Sequence, residues 1–442
     1  MENIDGKRIA FFIGNSKYPV ERSSSIICAV ACFVKAGYFV DIFLNQTMPT
    51  ELASFDKERV SIHELEQRTT TSVKRGIRAF IRVRFRSLFK ITPINVKRLA
   101  YDTITVIKRL FVEEDVYLFI PKHVIETAKN IVAQRKYIDF IAFDNQGLLF
   151  ASFIGSEMGV PVIYYSLEIH LSYDSTNYNF MKYKSFRILK ELERKYHEVA
   201  LATIIQDEER ARLLLEDNRV PNSPILLVPV SLLGGRKDEK TDYLFERLNI
   251  PRKKRVILHL GATTPDMYAV EIVEAAQKLP DEWVVVLHGP IGGYNTIDKI
   301  EQADAGKKVY LSTELIPFDE LQSLVSSAEV GLVFYKNLSL NEFDTGSSSG
   351  KLAHYLQCGL PVITINYPGF KKIIEEYHCG ICVNHPADIN STLEQITSDY
   401  EKYKMNAFRC YEERYEFSRH FQKVVDLVEN GLGKRREGKY FE

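Results

Sequence analysis

Short apolar runs alternate along this chain with segments of helical periodicity, and that alternation leaves few folds open. "RIAFFIG" (8–14), "FVDIFL" (39–44), "VYLFI" (116–120), "DFIAF" (139–143), "VPVIYYS" (160–166), "ATIIQ" (202–206) and "ILLVP" (225–229) are apolar nearly end to end. A strand buried on both faces has this composition, and it needs helices above and below. Helical patterns fit 24–36, 122–134, 146–158 and 178–198. The expectation is an α/β, doubly wound parallel sheet.

The scheme then repeats more compactly. Strands fit "RVILHLG" (255–261), "WVVVLHG" (283–289), "KVYLS" (308–312), "VGLVFY" (330–335), "PVITI" (361–365) and "GICVN" (380–384). Helices fit 265–278, 317–327, 349–358, 370–377 and 387–399. A chain of 442 residues is too long for one ordinary core. The divisions predicted are a Rossmann-like domain over 1–230, a Gly-containing charged connection over 231–254, a second Rossmann-like domain over 255–415, and a helix and tail over 416–442. The aromatic tail is expected to cross back to the first domain. Two facing domains of this kind place a ligand cleft at the carboxyl ends of their strands.

Formal net charge is zero, yet residues 1–230 hold 32 Lys and Arg against 27 Asp and Glu, so the first half is basic and the second acidic. The first half therefore favours anionic partners. Six cysteines in such a chain make no disulfide scaffold and fit a reducing compartment. The opening residues show no signal-peptide pattern, and no run reaches 18 uninterrupted apolar residues. A cytoplasmic protein is the expectation. His378, Cys379, Cys382 and His385 have a zinc-like look, but Cys382 falls inside a strand pattern and no second ligand pair follows. No metal and no cofactor is expected.

The chemistry points to an anion. Thr345, Gly346, Ser347, Ser348, Ser349 and Gly350 lead into the periodic run Leu352, Tyr355, Leu356. Such a helix start offers free N–H groups and the positive end of the dipole. Lys351 adds a charge. The spacing is not that of a P-loop. A second turn, at Gly261, Thr263 and Thr264, follows a buried strand and permits close approach of backbone to ligand. His288 and Gly289 end the next strand.

In order and spacing, "VILHLGA", "WVVVLHGP", "YLSTELIPFDELQSLVSSAEVGLVFY" and "SSSGKLAHYLQCGLPVITINYPGFKKIIEEYHCGICV" resemble the nucleotide-sugar half of a GT-B glycosyltransferase, close to the retaining family-4 type. "GVPVIYYSLEIH" resembles a strand and turn of the same family's first domain. The resemblance implies the GT-B fold and a metal-independent transfer of a hexosyl or N-acetylhexosaminyl unit from a UDP- or GDP-linked donor. The acceptor implied is a saccharide or lipid-linked molecule, as in polysaccharide synthesis. By position, Leu315 and Ile316 would hold the base, the 345–351 loop the diphosphate, and the 261–264 turn would face it. His354 stands where the family carries a ribose-binding glutamate. Thr263 and Thr264 stand where a cationic clamp is usual.

The mechanism implied stabilises the leaving diphosphate with helix dipoles and Lys351. Glu168 and His170, after the strand at 160–166, would orient or deprotonate the acceptor. Gly14 and Asn15 would allow close approach of a substrate. Rival readings are a catalytically silent GT-B subunit that binds a partner or glycan, and a nucleotide-sugar epimerase.

Ten basic and no acidic residues lie between Glu66 and Asp102. Drawn as a helix, this segment sets Arg75, Arg78, Arg82 and Arg86 opposite an apolar side containing Phe80 and Ile81. That profile fits a helix lying on an anionic membrane surface. No nucleic-acid motif appears.

Overall fold

The computed structural model describes residues 6–14, 23–45, 55–65, 94–172, 184–338, 341 and 346–436. They form two compact units. The first takes residues 6–14, 30–227 and those from 424 on; the second takes 23–29 and 228–423.

The first unit holds parallel strands β1 (Arg8–Ile13), β2 (Phe39–Leu44), β3 (Val60–Glu64), β4 (Phe140–Phe143), β5 (Val162–Tyr165), β6 (Ala202–Ile205) and β7 (Ile225–Leu227). Their order is β3-β2-β1-β4-β5-β6-β7. The helices in this half of the sequence are α1 (Ser24–Lys35), α2 (Ile94–Arg109), α3 (Lys122–Val132), α4 (Asp144–Met158), α5 (Lys184–Glu198) and α6 (Glu208–Asn218). Phe12 is fully buried, stacked on Phe43 with ring centroids 4.8 Å apart and edge-on to Phe150 at 5.0 Å. Gly147 lets α4 pass close beneath β1: a Cβ there would stand 2.5 Å from the Phe12 carbonyl oxygen.

Two strand expectations change. "VYLFI" is no strand: Asp115–Leu118 is one 3₁₀ turn. Only Val116 and Ile120 in it are buried, four apart, which is helical spacing rather than alternation. Conversely β3 has a single buried residue, Val60, and so gave no apolar signal.

β3 is tied down electrostatically. Asp41 on β2 is fully buried, with Arg8 Nη1 at 3.0 Å, Arg135 Nη1 at 2.7 Å and His63 Nε2 at 3.4 Å, and it accepts from Tyr137 Oη. Burial pushes the Asp41 carboxyl up, but its hydrogen bonds and the charge of Arg8 outweigh burial and hold it well below the carboxylate range. Its contribution to stability is therefore complete above about pH 4 and is lost as pH falls further. Asp41→Asn is expected to cost about 3 kcal/mol at pH 7. It should also flatten the acid decline below pH 4. Urea unfolding at pH 7 and pH 3 checks both, and equal losses at the two pH values would refute the assignment.

The second unit holds parallel strands β8 (Arg255–Leu260), β9 (Trp283–His288), β10 (Val309–Ser312), β11 (Val330–Val333), β12 (Val362–Ile365) and β13 (Gly380–Val383). Their order is β10-β9-β8-β11-β12-β13. Around them lie α7 (Tyr243–Leu248), α8 (Ala269–Ala276), α9 (Thr296–Ala303), α10 (Leu321–Ser326), α11 (Gly350–Gln357), α12 (Pro368–Tyr377), α13 (Ile389–Ser398) and α14 (Tyr400–Cys410). A π turn, Tyr411–Tyr415, leads into α15 (Phe417–Arg436). Residues 231–254 belong to this unit, where Leu232, Leu244 and Ile250 join its core. The tail's aromatics divide: Tyr411 and Tyr415 fill the same core, while α15 from Val424 groups with the first unit. There Lys7 Nζ meets Glu429 Oε1 at 2.9 Å.

Tyr355 fastens α11 to the sheet. Its buried hydroxyl donates to the Leu258 carbonyl at 2.9 Å and accepts from the Leu260 N–H at 2.7 Å. This fixes the helix start against the end of β8.

Candidate functional site

A doubly wound sheet opens its crevice where strand order reverses, outside the carboxyl ends of the two central strands. In the second unit that point lies between β8 and β11. Gly261 follows β8 with φ +115°, and Tyr335 stands two residues past β11. The start of α11 reaches both. A Cβ on Gly261 would lie 3.5 Å from Lys351 Nζ, and that amine sits 4.4 Å from the centre of the Tyr335 ring. Gly289, φ +139°, closes the neighbouring strand end; a Cβ there would stand 2.2 Å from the Gly261 carbonyl oxygen.

Three buried polar atoms at this turn find no hydrogen-bond partner among the described residues: Lys351 Nζ, His259 Nδ1 and Thr263 Oγ1; His354 Nδ1, three residues along α11 from Lys351, finds none either. Lys351 is half-buried as a residue, but solvent does not reach its amine. Burial lowers that amine to about 7. Burial, then the nearby Lys351, lowers His259 to about 3; burial alone lowers His354 to about 4. Buried polar groups are normally satisfied, so a cluster of orphans at a crevice marks where a polar ligand completes the set.

The described part of the serine loop is anchored at several points. Ser349 caps α11, accepting from the Leu352 N–H at 3.4 Å, and its hydroxyl lies 3.2 Å from Tyr335 Oη. Val230 N–H donates to the Ser347 carbonyl at 2.9 Å and Tyr415 Oη to the Gly346 carbonyl at 2.8 Å. A Cβ on Gly346 would meet the Gly369 carbonyl oxygen at 2.3 Å. Ser348 and Gly350 are half-buried between these anchors. His288, 7% exposed, pairs through Nδ1 with Ser312 Oγ at 2.9 Å; burial lowers it to about 4. Thr264 precedes the 3₁₀ turn Pro265–Met267 without capping it through its side chain. Leu315 is 64% exposed, whereas Ile316 packs partly on the core. Phe318 lies edge-on to His354 at 6.1 Å, which joins this segment to α11.

In the first unit the strand order reverses between β1 and β4. Gly14 follows β1, and a Cβ there would stand 2.3 Å from the Gln146 Cβ, so its close approach is to α4. Asp144 follows β4 in the left-handed region, φ 54°, and its Oδ1 accepts from the N–H groups of Leu167 and Glu168 at 2.8 and 3.0 Å. Burial pushes the Asp144 carboxyl up, against those two hydrogen bonds and the charge of His170. Glu168 is exposed and His170 half-buried. Asn15, Arg75, Arg78, Phe80, Ile81, Arg82, Arg86 and Thr345 lie outside the described residues.

Sequence reasoning missed His259, Tyr335, Asp144 and Arg414. His259 hides inside an apolar strand, whereas Asp144 is an acid at a strand end beside the reversal and carried a usable signal. Arg414 Nη2 reaches Ser347 Oγ at 3.4 Å from a segment 67 residues away, which no local pattern discloses.

The family profile described as "Glucosyltransferase 3-like, C-terminal domain" matches residues 288–415. Over 276 residues the chain is 20% identical to chitobiosyldiphosphodolichol beta-mannosyltransferase of Candida albicans (strain SC5314 / ATCC MYA-2876), a match that spans 57% of this chain and only 56% of that protein. Sucrose-phosphate synthase from Thermosynechococcus elongatus superposes with a TM-score of 0.63 at 13% identity, covering 97% of this chain and 99% of its own. Anabaena Alr3699/HepE, solved with UDP and glucose, gives 0.63 at 11%, covering 96% and 100%. WaaG, a glycosyltransferase of lipopolysaccharide biosynthesis, gives 0.60 at 11%, covering 95% and 99%. Two Rossmann-like units with these strand orders define an α/β protein of the GT-B class. The chain has the GT-B glycosyltransferase fold.

Proposed function

We propose that this protein is a glycosyltransferase that moves a hexosyl or N-acetylhexosaminyl unit from a nucleotide-sugar donor to a saccharide or lipid-linked acceptor, with retention of configuration. The observation that carries the reading is the orphaned Lys351 amine beside Gly261, with the orphaned His259 and Thr263 on either side of that glycine in sequence. A lysine amine that an anion would charge, neutral imidazoles and a hydroxyl, set at a helix start, suit a diphosphate and its flanking hydroxyls. The described relatives support the donor class: HepE was solved with UDP-glucose, and the Candida relative is a mannosyltransferase by its description.

The residues take the following parts. Lys351 and the α11 start stabilise the departing diphosphate, and His354 donates to a ribose oxygen. Leu315 and Ile316 flank the base. Glu168 and His170, shaped by Asp144, are the acceptor-side groups. UDP-glucose and GDP-mannose, titrated calorimetrically, test the donor site, and sugar release or transfer tests chemistry. Binding without any turnover would favour the silent-subunit reading, which the lack of a carboxylate at position 354 favours. No binding of either donor would remove the proposal.

The place of action is proposed to be the cytoplasmic face of a membrane. Among the described residues no helix is long and apolar enough to cross one. Helix α2, next in sequence to the basic segment, exposes Ile104 and Ile107, and Leu110 and Phe111 just beyond it are 77% and 83% exposed. Large apolar side chains following a basic run suit an anionic interface. Replacing Arg78, Arg82 and Arg86 by Glu is expected to abolish sedimentation with phosphatidylserine-containing vesicles. Unchanged sedimentation would end this part of the proposal.

A further inference from the structure

We infer that the diphosphate entering this site brings a proton with it, taken from solvent and held on Lys351 Nζ; the inference rests on the donor-site reading above. The surroundings of that amine favour its uncharged form more than those of an exposed lysine would. Its nitrogen is sealed from water, faces the Tyr335 ring at 4.4 Å, and lies against the Gly261 backbone with no acceptor among the described residues. The titratable groups that bear on it are His259 on β8 and Tyr335 past β11; His354 and Tyr355 follow it on its own helix. Lys336, beside Tyr335, is committed to Glu271 at 2.9 Å. No carboxylate among the described residues bears on the amine, and burial alone brings it to about 7.

An ammonium in such a place lacks both water and counter-ion, so the neutral amine is favoured. A diphosphate supplies the counter-ion and reverses the preference. The affinity of the charged form for the anion exceeds that of the neutral form. By linkage, binding must then draw in a proton wherever the free amine is neutral. The histidines start near 3 and 4, so Lys351 is the first group to accept it. The diphosphate of a nucleotide sugar is fully ionised throughout this range, so the proton cannot be its own.

The sign follows. Below the free amine's midpoint the site is already charged and donor binds at full strength with no uptake. Above it, affinity falls as each binding event must recruit a proton. From a midpoint near 7, UDP-glucose should bind about tenfold more weakly at pH 8 than at pH 6.

The test is calorimetric titration of the full chain with UDP-glucose, at pH 6 in MES and in imidazole and at pH 8 in HEPES and in Tris, each pair differing in ionisation enthalpy. The expected uptake is about 0.1 proton at pH 6 and approaches 0.9 at pH 8. Lys351→Arg, charged at both pH values, should bind with no uptake. Binding without uptake at pH 8, or uptake that persists in Lys351→Arg, would overturn the inference while leaving the donor site standing. Absence of binding at both pH values, with GDP-mannose as well, would instead bring down the donor-site reading and this inference together.

Discussion

Lys351→Met is expected to weaken UDP-glucose binding by about 10- to 150-fold. A hydrogen bond to a charged group contributes about 1.5–3 kcal/mol, and each 1.4 kcal/mol is tenfold in affinity. Methionine keeps much of the length and the apolar stem, so packing beside Tyr335 and Gly261 survives while the charge is lost. Removing a buried unpaired amine should, moreover, leave the ligand-free protein as stable as before or stabler, because the amine is desolvated without compensation. The pairing of weaker binding with undiminished stability separates a ligand-binding lysine from a structural one. Calorimetry and urea unfolding on the same variant read both; a marked stability loss, or unchanged affinity, would count against the assignment.

Gly289→Ala is expected to destabilise the second unit by about 2–6 kcal/mol. Two costs add. The backbone at φ +139° is one that L side chains rarely adopt, a strain of about 1–3 kcal/mol. The new methyl would also stand 2.2 Å from the Gly261 carbonyl oxygen, a backbone atom that cannot swing aside. Overpacking of this kind costs about 1–3 kcal/mol more. Relief requires the ends of β8 and β9 to separate, which would move the turn that Lys351 rests on. Donor affinity and unfolding midpoint should therefore fall together. A variant of near-normal stability would show that the two strand ends are not interlocked.

The sheets were legible wherever strands are buried on both faces, because continuous apolar runs follow from that burial. β3 escaped for the opposite reason: its place is secured by Asp41, His63 and their partners rather than by apolar contact. "VYLFI" misled because a buried turn and a buried strand share composition. At the site, Gly261, Ser349 and Lys351 were visible because turn chemistry and capping are local. His259 was not, since a histidine inside a strand declares nothing until its neighbours are known. Asp144 and Arg414 depend on contacts to Leu167, Glu168 and Ser347, which only the fold supplies.

The stretch from Tyr411 to Tyr415 has a consequence for dissecting this chain. Tyr415 grips the Gly346 carbonyl, Ser231 Oγ donates to the Tyr415 carbonyl, and Tyr411 Oη donates to that of Gly234. The floor beneath the Gly346–Ser349 loop is thus laid by the last part of the unit to leave the ribosome. An excised fragment ending at Cys410 would keep every strand of the second unit and yet lose the loop's shape, so a piece that preserves it must run at least through Tyr415.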